Sequence, residues 1–138
     1  MWKKVIFYIS CAVLILNFAH WAIAEETAPV VAAQKWLKIV DQGQYEQSWD
    51  TAAAYFKSMA SKGQWVSQVT AVRTSLGAVA TRVLENNQRK STLPGAPDGE
   101  YYVLSFKTVF VNKASAVETL TLMKDNDGQW RLAGYFIK

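Results

Sequence analysis

The sequence predicts an α+β fold: three N-terminal helices packed on a curved four-stranded antiparallel sheet. Apolar residues recur at helical spacing as far as Leu76 and at nearly alternate positions beyond Gly77. The later segments are joined by short connections, so consecutive strands pair antiparallel and the segregated helices cover one face. The third observation bounds the domain. Residues 1–24 of the 138 carry Lys3 and Lys4, an apolar run over 5–18 and the small-residue exit Ala22-Ile23-Ala24, which is the plan of a secretory signal peptide. The expected organisation is a signal peptide at 1–24 and a single α+β domain at 25–138, periplasmic or secreted.

In the first helix Val30, Ala33, Leu37 and Val40 share a face, with Trp36 at its margin and Ile39 pointing elsewhere. Thr27 is the expected cap. Pro29 suits the first turn, where a missing amide hydrogen costs nothing, and Gly43 is the stop. A second helix is expected over 45–60, where Tyr45, Trp49, Ala52 and Phe56 form an aromatic stripe. Ser61 caps a third over 62–76 with Trp65, Val69, Val72 and Leu76 on its stripe.

The strands follow. Residues 79–88 form the first, and a loop over 93–99 with two prolines and two glycines leads to the second at 100–111. There Tyr102, Leu104, Phe106 and Phe110 lie on one side, while Val103, Val109 and Val111 make the other side only partly polar. The third strand (117–124) and fourth (129–137) are joined by Asp125-Asn126-Asp127-Gly128, a tight hairpin turn. In the fourth, Trp130, Leu132 and Phe136 are expected to share a face.

Composition narrows the chemistry. The single cysteine, Cys11, and single histidine, His20, both fall in the leader, so the predicted mature chain has no thiol or imidazole for catalysis or metal binding. No metal site or cofactor is expected. The formal charge of +4 includes both leader lysines. Between 51 and 90 Glu85 is the lone acid against Lys57, Lys62, Arg73, Arg82, Arg89 and Lys90, a mild asymmetry rather than the dense stripe that nucleic acid requires. Nucleic acid is not an expected partner, and membrane contact is expected only through the signal peptide.

Trp36-Leu37, Ser48-Trp49-Asp50, Gln64-Trp65 and Arg73-Thr74-Ser75-Leu76-Gly77 stand in an order that resembles the bacterial exported family domain of unknown function 4019. The stretch at 93–102, Asn112-Lys113-Ala114 with Val117-Glu118-Thr119, and the ending at 130–137 add to the likeness. The resemblance spans about residues 30–138 and implies a nuclear-transport-factor-2-like (cystatin-like) cone of helices on a bent sheet. It implies no activity and no catalytic residue, and the architecture hosts enzymes and binders alike.

Candidate site residues come from the pattern. Trp36, Trp49, Trp65 and Trp130 either line a ligand cavity between helices and sheet or fill the core. Tyr102 belongs to the same inner surface. Arg73, at the rim of its helix's apolar face, and Arg82, in the first strand, are anchors for an anionic ligand or members of a structural ion pair. Asp50 falls on the solvent side of its helix. Glu118 shares a face with Leu120 and Leu122, which makes it the polar position of greatest interest.

The leading expectation is a non-catalytic exported module binding a small apolar ligand or a partner segment, with Trp49, Trp65, Arg73, Arg82, Tyr102 and Glu118 as its contacts. The alternatives are a cofactor-free enzyme built on Glu118 and a structural subunit forming a homodimer through the second sheet face.

Overall fold

The computed structural model describes the backbone from residue 12 and side chains from residue 27, through to 138. The leader's basic head and Cys11 lie outside the described residues, as does the side chain of His20. Among the described residues no helix is long and apolar enough to cross a membrane.

The elements run α1 (Ala12–Asp41), α2 (Tyr45–Asp50), α3 (Ala54–Met59), α4 (Lys62–Leu76), β1 (Val79–Lys90), β2 (Tyr101–Phe110), β3 (Lys113–Lys124) and β4 (Trp130–Ile137). The strands form one antiparallel sheet in the order β1-β2-β3-β4. The core lies between its inner face and the helices: Ala33, Trp36, Leu37 and Val40 of α1 and Trp65 and Val69 of α4 meet Leu104, Phe106, Leu120, Leu122 and Leu132. The class is α+β, as the change of period predicts.

Four local features depart from the sequence reading, each for an identifiable reason. Helix α1 runs through Thr27 and Pro29 instead of starting there, so Pro29 is buried inside a helix and withholds one amide from its ladder. Its far end behaves as expected. Gly43 takes φ +74°, its N–H donates to the Val40 carbonyl at 2.9 Å, and Gln44 N–H donates to the Ile39 carbonyl at 3.1 Å, a Schellman close.

The expected second helix is two short ones. Thr51 Oγ1 bonds back to the Gln47 carbonyl, and Ala53 N–H donates to the Leu132 carbonyl of β4 at 2.8 Å. That bond takes the amide out of the helical ladder and docks the α2–α3 junction on the outermost strand, burying Ala52 and Ala53.

On α4 the capping box of Ser61 and Gln64 forms, but the buried stripe is Trp65, Val69 and Arg73, with Val72 exposed. The helix is rotated toward an arginine because that arginine has partners inside.

The fourth departure is in β4. Leu122 pairs with Leu132 while Leu120 pairs with Tyr135, so one extra residue is accommodated between them. The bulge flips the alternation: Trp130 and Leu132 face the core, and then Tyr135 does, whereas Phe136 turns outward and is 51% exposed. The first and third strands are also longer than expected, and a register shift between Leu84 and Asn86 marks β1. Val103 and Val109 on the outer face are half-buried, and Val111 is exposed.

Candidate functional site

Where α1, α4 and all four strands converge, five polar side chains form a network with Glu118, which is fully buried at 0% exposure. Arg82 Nε donates to Glu118 Oε1 at 2.7 Å and its Nη2 to Oε2 at 3.2 Å. Thr108 Oγ1 donates to Oε1 and the Tyr135 hydroxyl to Oε2, each at 2.5 Å. A carboxylate has about four lone-pair sites, and here all are engaged.

Backbone pairing explains this meeting. Thr108 faces Arg82 across β1–β2, and Glu118 faces Phe106 across β2–β3, one step along the inner face. The β4 bulge delivers Tyr135 to the same side.

Asp41 extends the network. Arg82 Nη1 donates to Asp41 Oδ2 at 2.7 Å and Nη2 to Oδ1 at 3.0 Å, while Arg73 Nη2 donates to Oδ1 at 2.7 Å. As the last residue of α1, Asp41 sits at the negative end of the helix dipole, a locally unfavourable place for an acid. Two guanidinium groups compensate. Its side chain keeps 29% of its accessibility, which makes it the most open member.

Burial works against the charge on Asp41, but hydrogen bonds and charges from Arg82 and Arg73 outweigh it and hold the carboxyl below its ordinary range. Burial likewise opposes the Arg82 charge, yet the bonds to Asp41 and Glu118 push its proton affinity above the usual arginine value. For Tyr135, burial first and then the charge and hydrogen bond of Glu118 all raise the phenol far above its ordinary range. Tyr135 therefore acts as a fixed donor.

Arg73 closes the chain of alternating charge and is 7% exposed. Its guanidinium lies over the Phe110 ring, 5.2 Å from the centroid. Beside it, α4 and the end of β4 enclose a cleft of about 240 Å³, lined by Trp65, Val69, Val72, Tyr135, Phe136 and Ile137 together with Gln68 and Arg73. The walls are mainly apolar, and the size suits a fragment rather than a large cofactor.

The structure thus gathers four of the sequence candidates: Arg73, Arg82, Glu118 and Trp65. Trp65 contributes to the cleft wall and also fills core, its ring centroid 5.9 Å from that of Trp36 and 5.1 Å from that of Phe56. Both indoles are satisfied by buried Ser48, Trp36 Nε1 donating to its carbonyl and Trp65 Nε1 to its hydroxyl, each at 2.9 Å.

Trp49 and Tyr102 lie elsewhere. Trp49 is half-buried, bonds the Ala60 carbonyl and carries Lys57 and Lys62 on its ring. Tyr102 is buried edge-on against Trp130. Asp50 is exposed and pairs with Lys62.

Three members escaped the sequence reading. Tyr135 was hidden by the bulge. Thr108 interrupts the inner row of β2 between Phe106 and Phe110, and Asp41 is an acid at the wrong end of a helix. The last two are local mismatches of the kind that mark special sites. Among the described residues no three or more potential ligands gather in a way that would hold a metal.

Comparison with curated proteins finds no match. Among solved structures, one from Catenulispora acidiphila is similar, with a TM-score of 0.52 and 12% identity over 88% of this chain and 94% of that one. At such identity the likeness concerns the fold alone. The family described as "Protein of unknown function (DUF4019)" matches residues 32–135, and the chain belongs to that family.

Proposed function

We propose that this is a non-catalytic binding domain whose site is the α4–β4 cleft, taking a small molecule with an apolar body. The observation that carries the reading is the construction of the site: a largely apolar recess backed by a polar network whose carboxylate is already saturated. Glu118 accepts from Arg82, Thr108 and Tyr135, so proton abstraction by it would require dismantling the network that holds it. Its chemistry suits a rigid back wall better than a base. The leader-like residues 1–24 support export as part of the same proposal, with the cleft serving outside the cytoplasm.

The test is a titration of the purified chain with hexanol, followed by the methyl NMR signals of Val69, Val72 and Ile137. Saturable shifts confined to these methyls are expected, and V72W, which fills the cleft, should abolish them. Shifts scattered over the surface, or none at all, would overturn the reading.

A further inference from the structure

We propose that the groove between α1 and the β3–β4 hairpin is a second binding site, taking an organic anion with a flat apolar body. It shares no lining residue with the α4–β4 cleft, so either site stands without the other.

Helix α1 is apolar on two sides. Ala33, Leu37 and Val40 enter the core, whereas Ala28, Val31, Ala32 and Ile39 recur at helical spacing on a neighbouring face and line this groove. The core stripe is closed off, but Val31 is 45% exposed and Ile39 is only half-buried. The sequence already marks this second face through Ile39, which points away from the core stripe. Lys35 stands one turn from each of Val31 and Ile39, so an ammonium and an apolar wall share one side of the helix.

The hairpin supplies the other wall. Trp130 is half-buried and held edge-on to Tyr102 with ring centroids 5.3 Å apart, so its indole is fixed before any ligand arrives. The groove measures about 730 Å³, against about 240 Å³ for the α4–β4 cleft, and lies within the range of small-molecule sites.

Charge sets the ligand class. The lining includes Lys35, Lys124 and Arg131 and no acidic side chain. Arg131 is spent on Asp125 and Asp127. Lys124 meets Glu100 at 3.3 Å, an acid it shares with Arg89, and keeps 34% of its side chain accessible. Such an open pair exchanges readily with water or another anion. Lys35 is exposed and, among the described residues, has no hydrogen-bond or ion-pair partner. Two accessible ammonium groups, each with three donors, therefore face one compartment. Lys124 Nζ lies 5.9 Å from the Trp130 ring centroid, which sets cation and ring side by side. An anionic head at the lysines and a flat body against Trp130, Val31 and Ile39 use both features at once.

Naphthalene-2-sulfonate and its neutral isostere naphthalene-2-sulfonamide, titrated at neutral pH and low salt, test this. The methyl signals of Val31 and Ile39 and the indole N–H signal of Trp130 report the groove, while those of Val72 and Ile137 report the other cleft. Saturable shifts at the groove are expected, with the sulfonate binding at least about threefold tighter, the modest gain that accessible cations give. That advantage should vanish in the double variant K35Q/K124Q and in high salt. Equal affinities of the two probes in the wild-type chain would overturn the anion assignment. No shift at the groove with either probe, or shifts confined to Val72 and Ile137, would overturn the site itself. The wild-type comparison decides the matter even if the double variant fails to fold.

Discussion

Two arginine–carboxylate clusters in this molecule use the same groups in different surroundings. Arg131 in β4 bonds Asp125 at 2.9 Å and Asp127 at 2.8 Å across the β3–β4 turn, where Asp127 is 53% accessible and Arg131 32%. Arg82 bonds Asp41 and Glu118 where α1 and the sheet converge, with 15% of its side chain accessible. The turn cluster shows the deeper depression of a carboxyl: hydrogen bonds from Arg131 and the Gln129 amide bring Asp127 to about 2. Asp41 moves in the same direction against a larger burial penalty. The size of such a shift does not measure structural importance, because solvent and salt screen the exposed pair and reach the enclosed one far less. What distinguishes the inner cluster is its enclosed end: Glu118 and Thr108 have no water to fall back on, while Asp41 opens the other end to solvent.

The largest expected effect that would sharpen the contrast is at Glu118. E118A takes the interior acceptor from Arg82 Nε, Thr108 and Tyr135 and should cost about 3–5 kcal/mol in urea unfolding. A loss below about 1 kcal/mol would mean that the inner cluster behaves like the outer one. Next, Y135F removes a single donor to a carboxylate that keeps three others, and should cost about 1–3 kcal/mol.

Acid unfolding separates the clusters by salt. Asp41 has a folded-state pKa below its ordinary 3.8, so its contribution is present above that value and is lost as pH falls through the depressed one. Stability should drop below about pH 4, and D41N should make that drop shallower. Asp127 has the same sign with its folded value at about 2, but raising salt should erase its share and spare that of Asp41. The smallest effect is D127N at neutral pH, which should leave the urea midpoint unchanged within error. A clear shift there would make the outer cluster structural after all.

Much of the fold is legible where the cause is local. Gly43 and Ser61 close and open helices through their own backbone and side-chain bonds, and the period change at Gly77 marks the passage from helices to sheet. Gly77 itself takes φ +75°, and a Cβ there would lie 3.1 Å from the Asn112 amide of the β2–β3 turn. What stays hidden depends on remote partners. The break between α2 and α3 exists because a β4 carbonyl captures the Ala53 amide, and the inward turn of Tyr135 exists because β4 takes one more residue than β3 opposite it. Glu118 stood out as an acid among leucines. That it is enclosed and saturated follows from Arg82 and Tyr135, which lie 36 and 17 residues away.

The contact between Ala53 and Leu132 also bears on how the folded chain resists polymerisation. With an outward carbonyl of β4 already occupied, an incoming β-segment meets a blocked margin there. β1 forms the other margin and pairs only with β2, but its exposed Glu85, Arg89 and Lys90 act as charged gatekeepers. Of the two margins β1 is the one that no helix amide caps, and neutralising those three side chains is the change that would favour strand addition there.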